Sequence, residues 1–265
     1  MLARGRTAVV FGGSGAIGSA VARVLAREGA HVMLGARTRE RLDRVAGEIR
    51  EAGGTADPFL VDVLDEQATD EQVARLAERT GGIDIVVNAT SFMHDQGKEL
   101  GSLSLDEFMC PVDTFLPAMF NISRAVAPHM GGDRPGVILT IAAPAAPMAM
   151  PGHLGHIVSC AGMEAFSRAL ASELGPRNVR VVCLRSHAIA DAVRAGSYTG
   201  ELFAPKAQAL GLTVEQWLGG AAQGTMLRRL PTLSTVAETV AFLVSDHAAA
   251  MTATVVNMTA GLTTD

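Results

Sequence analysis

Short β-branched runs alternate along the chain with longer amphipathic ones. Thr7–Phe11 (TAVVF) is apolar after its threonine and predicts a strand; Ala16–Glu28 follows, with Ile17, Val21, Val24 and Leu25 at helical spacing. His31–Leu34 predicts a second strand, and Arg39–Glu51 a charged helix that stops at Gly53-Gly54. Phe59–Val63 predicts a third strand and Glu66–Arg79 a third helix ending at Gly81-Gly82. Ile83–Val87 (IDIVV) is apolar almost without break, the pattern of a strand buried on both faces. After a loop from Thr90 to Leu103, a long helical region covers Leu105–Met130, with Pro111 and Pro117 predicting a kink or a late start. Strand Val137–Ile141, helix Leu154–Leu174 and strand Val179–Leu184 come next. Residues 186–230 are irregular apart from a helix near Pro205–Leu218, and Val236–Ser245 and Thr254–Met258 close the chain as helix and strand.

Strands alternating with helices require crossover connections and a parallel sheet. No linker, composition break, repeat or low-complexity tract divides the 265 residues. The expected fold is a single α/β domain spanning 1–265: a doubly wound, Rossmann-type three-layer sandwich with a parallel sheet of about seven strands. Residues 186–230 form its expected substrate-loop region.

Composition narrows the function. Hydrophobic residues at 48% against 18% charged exclude disorder. A net charge of −5 without any basic block speaks against duplex nucleic acid as a partner. Cys110, Cys160 and Cys183 fit neither a disulfide framework nor a zinc site, so a reduced, cytoplasmic setting is expected. The apolar run after MLARGR is too short for a signal peptide, and Pro144 and Pro147 break the apolar stretch from Ile141 to Pro151, so no membrane association is expected.

The first strand runs into Gly12-Gly13-Ser14-Gly15-Ala16-Ile17-Gly18, where a helix begins. Glycines let backbone approach a pyrophosphate, and the helix start supplies free N–H groups and a positive dipole end. The second strand leads into Gly35-Ala36-Arg37, where a carboxylate would hold the ribose hydroxyl of NAD; Arg37 suits the 2′-phosphate of NADP(H) instead. Arg39 and Arg41 read as a solvated helix start. Asp62, with Val63, stands where an adenine amino group is accepted, and Asn88, Ala89 and Thr90 where ribose and nicotinamide pass. Ile189, beyond the sixth strand, completes the cofactor-facing set.

These residues resemble the short-chain dehydrogenase/reductase family over the whole chain. The family's Thr-Gly-x3-Gly-x-Gly is similar to Phe11-Gly12-x3-Ala16-Ile17-Gly18, its Asp-Val to Asp62-Val63, and its Asn-Ala-Gly to Asn88-Ala89-Thr90. Val236–Leu262 looks like the family's closing helix and strand. The resemblance implies a Ser-Tyr-Lys set with a supporting Asn, in which Tyr protonates the carbonyl oxygen as hydride arrives. Helix Ala161–Leu174 aligns without gaps to the family helix that follows the lysine. That alignment puts the lysine slot at Cys160, the tyrosine slot at His156, the serine slot at Ala143 and the asparagine slot at Phe115, or at Asp113 with a two-residue slip. The lone tyrosine, Tyr198, has no lysine at family spacing, and Lys98 and Lys206 are the sole lysines. The Pro-Gly that follows strand six in the family is replaced by Ser186-His187.

The expected protein is therefore an NADP(H)-binding, divergent reductase acting on an apolar small molecule. His156 is the candidate acid for a carbonyl acceptor, with His153 and His187 near the same cleft. An iminium acceptor needs no acid. Two other readings stay open: a non-redox cyclase, isomerase or dehydratase that works by proximity, and a catalytically silent nucleotide-binding partner. Cys160 is a nucleophile or, more commonly for a helix cysteine, small packing. Phe92, Met93, Phe115, Ala143, Met148, Met150, Tyr198 and Trp217 are the expected pocket wall. No metal is expected, because His153 and His156 lack a third ligand at sensible spacing. The resemblance also implies a homodimer or homotetramer, and Ala161, Gly162, Ala165, Ala169 and Ala171 offer small residues for helix contact.

Overall fold

The computed structural model describes residues 1–264. Its strands are β1 (Thr7–Phe11), β2 (His31–Ala36), β3 (Thr55–Leu60), β4 (Ile85–Asn88), β5 (Gly136–Ala142), β6 (Val179–Ser186) and β7 (Thr254–Met258). All pair in parallel, in the order β3-β2-β1-β4-β5-β6-β7. The helices are α1 (Ala16–Arg27), α2 (Arg39–Glu51), α3 (Glu66–Thr80), α4 (Leu105–Val126), α5 (Leu154–Leu174), α6 (Thr199–Ala209), α7 (Val214–Gln223) and α8 (Leu233–Val244). One apolar layer joins the sheet to α1, α2 and α8, and the other joins it to α3, α4 and α5. β1 and β4 are buried at every position, which is why they read as unbroken apolar runs. No helix of the described residues is long and apolar enough to cross a membrane.

Three elements depart from the sequence reading. β3 starts four residues and ends three residues earlier than expected, on the polar-looking Thr-Ala-Asp-Pro-Phe-Leu. It is an edge strand, where Pro58 is tolerated because no outer neighbour needs its N–H. Asp57 is held there by His31 and Arg50, both within 2.9 Å. The apolar Val61 and Val63 that drew the strand assignment onward are buried beyond the ladder instead. α4 is one continuous helix despite Pro111 and Pro117. A capping box between Ser104 and Glu107 starts it, and packing of α5 against it outweighs the missing backbone bonds. The single helix expected near Pro205–Leu218 is two, because Thr213 caps a fresh start at α7.

α4 and α5 touch through glycine. A Cβ on Gly155 would lie 2.3 Å from the Phe108 carbonyl oxygen. Gly162 faces the side chain of Leu116, so this small residue serves contact within the chain. β6 is tied to α5 by Arg185, whose guanidinium donates to both oxygens of Glu164 at 2.7 and 3.0 Å, with both side chains buried.

Gly155→Ala is expected to cost about 1–3 kcal/mol, as overpacking does, and to lower the thermal midpoint by several degrees. Gly47→Ala, in α2 with nothing within 4 Å of the added Cβ, should leave the midpoint unchanged or raise it. Calorimetric melting of the two variants checks both signs.

Candidate active site

The strand order reverses between β1 and β4, and the loops leaving their carboxyl ends open a crevice there. The Gly-rich turn builds one wall. The N–H groups of Gly12 and Gly13 donate to the Gly35 carbonyl at 2.9 and 3.1 Å, and Gly15 N–H donates to Gly12 O at 2.9 Å. A Cβ on Gly18 would stand 2.1 Å from Gly12 O, and one on Gly12 would stand 2.5 Å from Ala89 O. These two glycines therefore lock turn, helix and β4 exit together. Gly15 caps α1 with no side-chain hydrogen bond, and the first turn holds no acidic residue. The N–H groups of Ala16, Ile17 and Gly18 begin the helix without intrahelical partners, as a phosphate site requires. Ser14 sits half-buried on the same turn.

The other cofactor candidates surround this crevice. Arg37 follows β2 directly, is exposed, and makes no ion pair or hydrogen bond among the described residues. Arg39 is paired with Asp43 at 2.9 Å. Asp62 is exposed and accepts from Leu64 N–H at 3.1 Å; Val63 is buried, its carbonyl accepting from Asn121 Nδ2 at 2.9 Å. Asn88 ends β4, and its Oδ1 accepts from the Thr90 N–H and hydroxyl at 3.1 and 2.7 Å. That bond shapes the turn through Ala89 and Thr90.

Ile17, Ala89, Thr90 and Ile189 also line a cavity of about 400 Å³ that continues past the strand ends. Ala143, His156 and Cys160 line it together with Phe115, His153, His187, Tyr198, Trp217, Met148 and Met150. Phe92 and Met93, expected on the wall, are not among the lining residues. Phe92 instead packs edge-on behind Phe115, with centroids 5.4 Å apart, and Met93 points outward at 47% exposure. In an extended loop, neighbours face opposite ways, so the next residue, His94, is the one that lines the cavity.

Burial sets the protonation of the site. Desolvation, reinforced by His94, His153 and Lys206, pushes the His156 imidazole down to about 3. Its ring stacks on His94 with centroids 4.6 Å apart. Burial thus favours a neutral imidazole at His156 at neutral pH, where the sequence reading expected an imidazolium. Burial also lowers His94, His153 and His187. It pushes the Cys160 thiol up to about 12, which leaves a thiol rather than a nucleophilic thiolate. The Tyr198 phenol is raised by burial and shares a hydrogen bond with Ser91. Lys206 is lowered to about 8 by burial, with Asp95 opposing. Among the described residues no group of three His, Cys, Asp or Glu side chains is placed to hold a metal ion.

Sequence reasoning missed Ser91, His94, Gln96 and Lys206, all of which line the cavity. Lys206 donates to Gln96 Oε1 at 2.8 Å and to His153 Nε2 at 2.7 Å. Gln96 donates in turn to His94 Nε2 at 2.9 Å. One signal pointed to this lysine: a chain with twenty arginines keeps only Lys98 and Lys206.

Residues 13–263 match the family model described as Enoyl-(Acyl carrier protein) reductase, and the chain belongs to the short-chain dehydrogenase/reductase family of oxidoreductases. It is similar to 2,3-dihydro-2,3-dihydroxybenzoate dehydrogenase of Bacillus subtilis, 30% identical over 252 residues, which are 94% of this chain and 92% of that one. It is also similar to 3-oxoacyl-(acyl-carrier-protein) reductase FabG of Pseudomonas aeruginosa, 30% identical over 262 residues and 99% of each chain. Among solved structures it resembles a short-chain dehydrogenase from Burkholderia cenocepacia in complex with NADP, at TM-score 0.81 and 25% identity over 99% of each chain.

The depressed histidines predict an acid-sensitive fold. In the unfolded chain a histidine protonates below its ordinary value of about 6.5, while folded His156 stays neutral down to about 3. The unfolded state therefore binds more protons throughout that window, and stability falls as pH falls through it. Each such histidine adds a slope of up to about 1.4 kcal/mol per pH unit. Urea unfolding between pH 7 and pH 4 should show this slope, and His156→Gln should reduce it by about one histidine's share.

Proposed function

We propose that the chain is an NADP(H)-dependent reductase of the short-chain family, acting on an apolar small molecule with a carbonyl or iminium acceptor and without the family's tyrosine–lysine acid. The observation that carries this reading is continuity. The uncapped start of α1 and the β4 exit open into the same cavity whose far walls are apolar.

The residues fit a dinucleotide. The free N–H groups at the start of α1 suit its pyrophosphate, Arg37 its 2′-phosphate, and Ala89, Thr90 and Ile189 the approach of the nicotinamide. His187 Nε2 is buried with no hydrogen-bond partner among the described residues, so a polar group of a bound ligand would satisfy it. Bound there, a nicotinamide supplies the hydride. The protein's own part is to orient the acceptor, exclude water with apolar walls, and provide or withhold a proton.

The divergent chemistry is supported by the cavity lining. His156, Cys160 and Ala143, assigned to the tyrosine, lysine and serine slots, all line it. The lone tyrosine bonds Ser91, and Lys206 bonds His153 and Gln96. His156 is neutral and can accept a hydrogen bond but has no imidazolium proton to give. An iminium acceptor needs none, whereas a carbonyl would draw on Tyr198, whose phenol burial keeps protonated at neutral pH. We also propose assembly into a dimer or tetramer through α4 and α5, whose outer faces expose Phe120, Leu154 and Val158.

Calorimetric titration of nucleotide-stripped protein tests the cofactor reading, with NADH as control. NADPH should bind at least tenfold more tightly than NADH. Arg37→Ala should weaken NADPH by about 10- to 100-fold, the loss of one charge-assisted phosphate contact, and leave NADH nearly unchanged. Absence of binding by both nucleotides overturns the reductase and leaves a nucleotide-free enzyme or a silent scaffold.

A further inference from the structure

Among the described residues Lys206 is the one formally charged side chain lining the cavity, and it is more than half-buried. Its ammonium carries three donors. Two are taken, by Gln96 Oε1 at 2.8 Å and His153 Nε2 at 2.7 Å. Both acceptors are neutral, and their neutrality is enforced. His153 Nδ1 donates to the Pro151 carbonyl at 2.7 Å, which leaves Nε2 as the lone-pair side. Gln96 turns its amide nitrogen to His94 Nε2 at 2.9 Å, and His94 Nδ1 donates to the Phe92 carbonyl at 2.8 Å. Every bond in this chain has a consistent donor and acceptor with both imidazoles neutral. The chain orients the ammonium but does not neutralise it.

No carboxylate among the described residues lies within ion-pair distance of Lys206. Asp95 acts on it through space only, and its own Oδ1 accepts from the Lys98 N–H at 3.1 Å. Trp217, with its ring centroid 6.0 Å from the ammonium, covers one side. The remaining walls are mainly apolar, and their polar members, among them Ser91, Ser197, Tyr198 and Thr199, are uncharged. A buried cation is retained in such surroundings when it has a partner of opposite charge. The third donor and the missing countercharge point to the same thing.

We propose that the cavity takes an apolar ligand bearing one carboxylate, and that Lys206 is the residue that selects it by pairing with that carboxylate. This rests on the cavity being the substrate site of the proposed reductase. Lys206 fixes the anionic end near α6 and α7, and the apolar body extends toward Ala89 and Ile189 at the nucleotide end. Lys206 here is a specificity-determining residue. Its hydrogen-bonded neighbours Gln96 and His153 are positioning residues, which hold the ammonium in one place.

The groups facing Lys206 make the idea separable by pH. His94 and His153, and His156 beyond them, are lowered by burial and already neutral above pH 7. Tyr198 is raised above its ordinary range, and Cys160 is pushed up to about 12. Between pH 7 and pH 9.5 the titrating group among these is Lys206, with its value at about 8.

The test is calorimetric titration of the full chain with naphthoate and with naphthamide, which share a ring system and differ in charge. Each probe is run with and without saturating NADPH. At pH 7 naphthoate is expected to bind at least tenfold more tightly than naphthamide. Its affinity should fall by about tenfold between pH 8 and pH 9.5 as the ammonium deprotonates, with naphthamide unchanged. In Lys206→Met the preference and the pH dependence should both disappear. Equal affinity for the two probes, a preference that survives in a folded Lys206→Met, or no binding of naphthoate at millimolar concentration overturns the proposal. If Lys206→Met does not fold, the pH series on the unaltered protein decides alone. The nucleotide titration separates the two readings: naphthoate selectivity without NADPH binding refutes the reductase and leaves the anion site standing, and the converse refutes the anion site.

Discussion

The close approach of backbone at the β1–α1 turn is the constraint on which the site depends. Gly18 allows α1 to settle within contact distance of Gly12 O, and Gly12 allows the turn to settle against Ala89 O. With a side chain at either position, β1, α1 and the β4 exit could not meet. Their meeting places the free end of α1 at the point where the sheet order reverses. Because all seven strands are parallel, the loops after β1, β4, β5 and β6 emerge on the same edge. Ile17, Ala89, Ala143 and His187, far apart in sequence, therefore share one cavity. The candidate chemistry is a consequence of strand direction and two missing Cβ atoms.

Features set by local pattern were legible in the chain, and features set by distant packing were not. Unbroken apolar runs marked β1 and β4 because both are covered on two faces. The Gly-rich turn was legible because its requirement is steric and contained within a few residues. β3 misled because its ladder partner is chosen by β2, and an edge strand with one neighbour tolerates Thr55, Asp57 and Pro58. α4 misled because proline propensity is a local cost, and burial against α5 overrode it. The polar network was illegible for a stronger reason. Lys206 meets Gln96 across 110 positions of sequence and His153 across 53. No periodicity in the loop from Thr90 to Leu103 distinguishes the inward His94 from the outward Met93.

Side-chain identity alone also gave the wrong charge for the site. A cleft holding His94, His153, His156 and His187 suggests acid–base chemistry near neutral pH. Burial reverses that expectation, since desolvation is the first cause of the lowering at all of them. The same effect keeps the Cys160 sulfur as a thiol and the Tyr198 phenol protonated. His94, His153 and His156 thus act in this cavity as hydrogen-bonding and stacking surface rather than as charges.

This neutrality bears on how the cavity can discriminate among ligands. An apolar wall distinguishes poorly between molecules that differ by a methylene or an added hydroxyl. A single oriented cation in low dielectric distinguishes strongly between a carboxylate and its neutral isostere, because the mismatched ligand leaves the ammonium's free donor desolvated and unpaired. Had any of the histidines next to Lys206 been protonated, positive charge would be spread over several positions and the ligand's anionic end would have no unique seat. Holding them neutral concentrates the charge at one atom, the Lys206 Nζ. The burial that favours a neutral His156 is thus the same burial that leaves Lys206 as the charge a ligand meets. Both follow from walls of methionine, phenylalanine and tryptophan around a site carrying one formal charge.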